Sequence, residues 1–552
     1  MKWIFKLMLP AMLLASCSEE GASPLDAYPE TGLEKQVAHD RMVIGAKRSN
    51  PYSVTNMRKA YASLYSTRTE YEEEELEEII PVTDYYVRFL PSDMDDFARL
   101  EEMGVELTDF PLDCDIVEEG DYYQDPEIEE GHISWQYAVV PSDFSFPDDI
   151  EFEILDECCI PDDTEERDSF EEEDCYEEED GCEEDPESYE TRSTSSVDWR
   201  ALERMAFECS GNTDLLESET RAKAKPSGKI TITDNGINGK TVGVAGVKVM
   251  ANVFVKLSTT FTDASGNYSF SAKFSAKPNY RLCFKNTKGF SIGLNTILVP
   301  ASVSALGKGS PEGITLNVNG SSDAALYRRC AVNNAAYEFY DKCQQEGITL
   351  PPRNLRFWII NSLTPSSALM MHHGSFLDQG LVSNYLGVYK LALQVFCPDI
   401  TIGSKGSSYD YASLYSDTVH EMAHASHFIK VGTDYWNKFS TYIISTFLLT
   451  GDCYGTGNGE NAGYCEVAEM WAYFIENAFY TSRYGSSPQR GYNLWFKPQI
   501  FNDLVAGGVT KGEISEALKT TTTSVDALKS ELLVISPSHK TLINNTFKRY
   551  SR

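Results

Sequence analysis

His420-Glu421-Met422-Ala423-His424 sets two imidazoles four residues apart. On a helix that spacing puts both on one face, a turn apart, close enough to share a tetrahedral ion such as zinc. Glu421 stands beside that face, where a carboxylate can hold a water polarised by the metal and take its proton. That is hydrolytic chemistry at neutral pH. Histidine is scarce, eight in 552 residues, so a pair at ligand spacing around a glutamate stands out. The competing reading is a helix whose histidines only cap or pack.

The surroundings predict a helix. No Gly or Pro interrupts 411–430, and Leu414, Val419, Met422, Ala423, Phe428 and Ile429 supply apolar faces. Residues 435–449 predict a second apolar helix, and the Gly/Asn-rich stretch 451–463 predicts a loop that turns the chain back. Cys465-Glu466-Val467-Ala468-Glu469-Met470-Trp471-Ala472-Tyr473-Phe474-Ile475 follows, helical and mostly apolar, with two carboxylates in its first turns. Buried carboxylates are costly unless paired or metal-bound, so a third ligand is expected from this helix.

Here the chain resembles the gluzincin group of zinc metallopeptidases, in which a later helix supplies a glutamate, often as Glu-x-x-Ala. Glu469-Met470-Trp471-Ala472 fits that pattern; Glu466, with Ala468 two residues on, fits less well. The resemblance implies a zincin-like domain holding Zn2+ by His420, His424 and Glu469, with Glu421 as general base and a peptide or protein as substrate. Glu466, one turn before Glu469, could orient a ligand. The metzincin variant needs a glycine three positions after the second motif histidine and a further histidine three beyond; this chain has His427 and Lys430 there. His427 lies about 10 Å of helical rise from His420, too far to share an ion with it. It is left as a support behind the ligands, a substrate contact or a packed side chain. A donor opposite the metal is also required for a peptide carbonyl, with Tyr409, Tyr473, Tyr480 and the His372-His373 pair as candidates.

At the N-terminus, Lys2 and Lys6 precede the apolar run 7–14, and Leu14-Ala15-Ser16-Cys17 follows. This resembles a bacterial lipobox, which implies removal of a signal peptide, 1–16, and lipidation of Cys17. An ordinary signal peptide is the alternative. Ser18-Glu19-Glu20 resembles the acidic export tags of some surface lipoproteins. The expected location is the cell envelope, lipid-anchored to the outer membrane and surface-exposed, since no other apolar run is long enough to span a bilayer.

Length calls for about three or four folding units after the signal. Residues 17–80 read as a tether with a helical segment opening at Asn50-Pro51-Tyr52. Residues 81–225 read as an acidic α+β module, with strands at 84–90 and 135–140, a helix near 199–207 and the acidic run 165–190 as a solvated loop. This module is either a propeptide or a spacer. From Gly228 onward short alternating strands are separated by Gly, Asn and Asp turns, predicting an antiparallel β-sandwich over 226–318. Ala245-Gly246-Val247-Lys248-Val249 and Thr262-Asp263 to Gly266-Asn267-Tyr268-Ser269-Phe270 resemble the carboxypeptidase regulatory-like (transthyretin-like) modules. That resemblance implies a unit that spaces, orients or binds. Its lysines, including Lys248, Lys256 and Lys285, offer a face to the acidic loop.

Residues 319–552 read as the mainly helical zincin-like domain. It opens with a helix at 324–345 and strands at 355–360 and 368–371, followed by a helix at 381–394. A short strand at 400–403 comes last, as the edge on which an extended substrate would hydrogen-bond. The net charge of -37 argues against nucleic acid as a partner. Thirteen cysteines leave an even number once Cys17 is lipidated, so bridges such as Cys175 to Cys182 or Cys453 to Cys465 are geometrically open.

The whole reads as a multidomain surface lipoprotein with zinc-dependent peptidase activity. The alternative is a non-catalytic binding or adhesion lipoprotein with a structural or vestigial zinc site. The mature chain should partition into the detergent phase, whereas Cys17→Ala should stay aqueous; phase separation of the two proteins checks the lipobox.

Overall fold

Aromatic and branched residues along Asp84–Leu90 form the centre of a three-stranded antiparallel sheet. Gln136–Pro141 pairs on one side and Glu151–Cys158 on the other. Val87, Phe89, Ala138 and Val140 from this sheet share an apolar cluster with Leu100 of the helix Met94–Glu102. Asp93 caps that helix by accepting from the N–H groups of Asp95 and Asp96. The helices Val54–Leu64 and Trp199–Cys209 pack through Met57, Ala60, Leu202 and Ala206, joining chain from either side of the acidic run. The computed structural model describes residues 41–65, 73–128, 133–161, 197–216, 223–237, 239–293, 301–361, 366–375, 398–405 and 410–551. The expected signal peptide and Cys17, the acidic run, Tyr409 and the expected helix 381–394 lie outside them.

The central region is two packed sheets. In one, Ser227–Asp234 pairs antiparallel with Lys240–Gly243 and Asn267–Ser269, and parallel with Thr315–Val318. In the other, Val247–Val253 lies between Lys256–Phe261 and Asn279–Asn286, and Val303–Lys308 also pairs with Asn279–Asn286. Alternation buries Ile230, Ile232, Val249, Ala251 and Leu282 completely. The expected all-antiparallel pattern fails at 315–318. The chain reaches that strand by crossing from one sheet to the other, and a crossover permits parallel entry.

The second sheet does not stop at 318. Ser291–Ile292 pairs parallel with Arg356–Ile360, which pairs parallel with Ile400–Gly403. A seven-stranded sheet therefore runs across the division expected at 318/319. Strands 356–360 and 400–403 are buried at every position, as parallel strands covered on both faces are. The strand before the motif helix is not the open edge expected for a substrate, because Ser367 already exchanges two main-chain bonds with Thr401 at 2.9 and 2.8 Å. Beyond that single bridge no strand forms at 368–371, since Met370 turns the chain with φ 55°.

The lysine face is met by folded acids: Lys248 pairs with Glu106 and Lys285 with Glu101. Deeper in, the buried Glu203 lies 3.3 Å from Lys223 and accepts the Tyr52 hydroxyl. Burial drives its carboxyl up, but Lys256, Lys223 and Tyr52 outweigh that and hold it below its usual value.

The C-terminal region is helical. Asp410 caps the motif helix, Tyr411–Thr450, by accepting from Ser413 N–H. The two helices expected at 411–430 and 435–449 are its halves, bent at Gly432 (φ 72°, ψ -177°), a conformation only glycine adopts freely. The carboxylate helix, Ala462–Tyr484, packs along it. Arg483 ties both to the central sheets: it bonds Asp234 at 2.7 Å, pairs with Glu338, and lies over the rings of Tyr411 and Tyr415. One apolar core runs from Met42 to Phe547.

Glu203→Ala, which strands two ammoniums in that core, should lower stability by about 3–5 kcal/mol in urea unfolding at neutral pH. Because the folded carboxyl titrates lower than the unfolded one, its contribution is complete above about pH 4.3. It fades as pH falls through the folded value, so the two proteins should converge on acidification.

Candidate metal centre

The kinked helix turns the motif face inward, and the carboxylate helix lays Glu469 against it. His420, Glu421, His424 and Glu469 are 3%, 1%, 1% and 0% exposed. His420 Nε2 stands 3.5 Å from Glu469 Oε2, and His424 Nε2 stands 3.5 Å from Glu469 Oε1. Neither nitrogen has a hydrogen-bond partner. The separation is long for a hydrogen bond, yet it matches the spacing of about 3.4 Å between ligand atoms on a tetrahedral ion with bonds near 2.0–2.2 Å. All three ligating atoms lie within 4.8 Å of one another. Orphaned, buried and converging, they fit a metal ion. Two imidazoles and a carboxylate suit several divalent first-row metals, zinc among them.

A second ring of groups holds the first. His420 Nδ1 lies 2.9 Å from Glu476 Oε2. The other Glu476 oxygen accepts from Ser416 and, at 2.8 Å, from Arg490, which also bonds Asp417 at 2.8 Å. With Nδ1–H given to Glu476, the Nε2 lone pair faces Glu469. Burial opposes charge on His420, but Glu469 and Glu476 beside it hold its pKa up to about 10. The carboxylates that favour a second proton there favour a cation in its place. Burial pushes Glu421 up to about 8, and its Oε2 has no hydrogen-bond partner. Burial lowers His424; burial pushes Glu469 up, but the pull of His424 and His420 and their bonds outweighs it and leaves that carboxyl far below the usual range.

The remaining candidates separate. Tyr473 is at the centre, its ring 4.5 Å from His420, and its hydroxyl lies 3.0 Å from that of Tyr454. Tyr480 packs on Tyr484 instead. His373 Nδ1 lies 2.9 Å from Asp399, and His372 sits against His373. Glu466 is half-buried and outside the cluster. His427 is buried against Tyr435 and Trp436 with neither ring nitrogen hydrogen-bonded, and burial lowers its pKa to about 3, so it packs as a neutral ring. Cys465 is a free thiol, so the bridge from Cys453 to Cys465 does not form.

Sequence reasoning missed Glu476, Arg490 and Tyr454. Glu476 had a usable signal, since seven residues after Glu469 is two helical turns along the same face. Arg490 and Tyr454 come from loops, where no periodicity points.

No protein-family model matches the chain, and comparison with curated proteins and with solved structures likewise gives no match. The likeness to gluzincins rests on the two motifs alone.

Chelator competition should rank three variants. Glu469→Ala should lose tight metal binding, Glu476→Gln should weaken it by about 10–100-fold, and Glu466→Ala should match the parent.

Proposed function

We propose that the chain is a zinc-dependent peptide hydrolase of gluzincin type. In this reading the last domain is zincin-like, the central sheets are a carboxypeptidase regulatory-like sandwich, and lipid on Cys17 anchors the protein at the outer surface of the cell envelope. Among the described residues no helix is long and apolar enough to cross a membrane.

The observation that carries the proposal is Glu421. Its carboxylate is buried beside the cluster, its Oε2 is unpartnered, and it is not one of the three converging ligands. Leaving a buried carboxylate oxygen unmet costs about 1–3 kcal/mol, which a merely structural site has no reason to carry. Bound zinc would supply a Lewis acid that polarises a substrate carbonyl and acidifies a water. Glu421, beside the three ligands, would be the proton acceptor and then the proton donor to the leaving amine. His420, His424 and Glu469 would hold the ion, with Glu476 and Arg490 keeping His420 turned toward it. Three protein ligands leave room for a reactant, whereas closed structural zinc sites use four.

The burial of all four side chains favours a second reading, a binding lipoprotein with a sealed zinc site. Glu421→Gln separates the two. The hydrolase should keep its zinc and lose about 10²–10⁴ in rate on a mixed peptide library. Unchanged cleavage by the zinc-loaded variant would reject the mechanism, and no cleavage by either protein would favour the sealed site.

A further inference from the structure

The loop between the motif helix and the carboxylate helix is shaped around one side chain. Gly451, Gly455 and Gly457 have φ of 75°, 54° and 76°. A Cβ at 455 would come within 2.5 Å of Thr446, and one at 457 within 2.6 Å of the Trp495 ring. Both the turn and the close approach therefore need glycine. Within this frame Tyr454 is held on three sides. Its N–H donates to Asp452 at 2.9 Å, its carbonyl accepts from the Tyr442 hydroxyl and the Trp495 indole N–H at 2.8 Å each, and its ring packs edge-on against Phe496.

So fixed, the buried phenol lies 3.3 Å from Glu469 Oε2 and 3.0 Å from the Tyr473 hydroxyl. The proton directions follow from chemistry. An ionised carboxylate only accepts and a phenol has one proton to give, so Tyr454 donates to Glu469 and Tyr473 donates to Tyr454. Tyr473 is itself pressed into place: a Cβ on Gly491 (φ 77°) would meet its ring at 2.5 Å, and the ring meets that of His420 in a T-shaped contact at 4.5 Å.

We propose that Tyr454 is a positioning residue, whose phenol, backed by Tyr473, holds the Glu469 carboxylate turned toward His420 and His424. The proposal rests on reading the centre as a metal site. It also assigns the Tyr473 proton to Tyr454 and so removes Tyr473 from the candidates for donating to a substrate oxygen. Glu476 and Arg490 orient one imidazole from one side; Tyr454 and Tyr473 orient the carboxylate from the other.

The test uses the full chain and compares parent, Tyr454→Phe and Tyr473→Phe. Zinc affinity is read by chelator competition, the site's geometry by the visible spectrum of the Co2+-loaded protein, and folding by thermal melting without metal. Tyr454→Phe should still melt cooperatively, somewhat below the parent because a buried hydrogen bond is lost, weaken zinc by about 10–100-fold and alter the Co2+ spectrum. Tyr473→Phe, which keeps the ring but loses the proton behind Tyr454, should do the same by a smaller factor. Parent-like affinity and spectrum in Tyr454→Phe would overturn the proposal while leaving the metal reading intact, and a parent that binds neither ion would overturn both. If Tyr454→Phe does not fold, the double variant Tyr442→Phe/Trp495→Phe, which removes both donors to the Tyr454 carbonyl, replaces it, with the same weakening expected and unchanged affinity counting against the proposal.

Discussion

Three carboxylates, Glu421, Glu469 and Glu476, are buried between two helices, and the C-terminal region is arranged around compensating them. Each ion taken out of water costs several kcal/mol unless positive charge and hydrogen-bond donors surround it. Arg490 answers Glu476 directly, and the pull of Glu476 and Asp417 holds its guanidinium charged. His420 and His424 face Glu469, and the three together could hold a cation that would complete the balance. Glu421 is the group left over, and burial holds its carboxyl well above the usual range.

Holding those charges together requires the helices to keep their register, and the kink at Gly432 is central to that. It folds Trp436 and Phe439 back against His424, and the Trp436 indole donates to the carbonyl of Ala368. At the other end Arg483 joins the carboxylate helix to Asp234 of the central sheets and to Glu338 of the helix Ala324–Glu346. With a sheet shared between central and C-terminal regions, the helices that carry the cluster are mounted on a continuous hydrogen-bonded frame. Sites built on rigid elements keep their geometry best.

The N-terminal region belongs to the same frame. Its acids meet the bases of the central sheets, both at the surface and in the buried Glu203 cluster, and Tyr52 and Phe207 share the main core with Phe254. Paired charges of this kind add little net stability and much specificity of docking, while the apolar contacts supply the affinity.

Some of this was legible in the amino-acid order. The spacing of His420, Glu421 and His424, and the carboxylate Glu469 on an apolar helix, follow from a helical period of 3.6, which acts over a few residues and needs no knowledge of the fold. Strand alternation at 84–90 and 228–233 is equally local. Which of Glu466 and Glu469 faces the histidines was decided by the rotation of one helix against the other. The roles of Glu476, Arg490 and Tyr454, the parallel joint between 291–292 and 356–357, and the covering of Thr401 by Ser367 were likewise settled only in three dimensions. Those are contacts between residues distant in the chain, and they arise because packing must satisfy every buried charge and main-chain group at once, a condition no short stretch of sequence carries by itself.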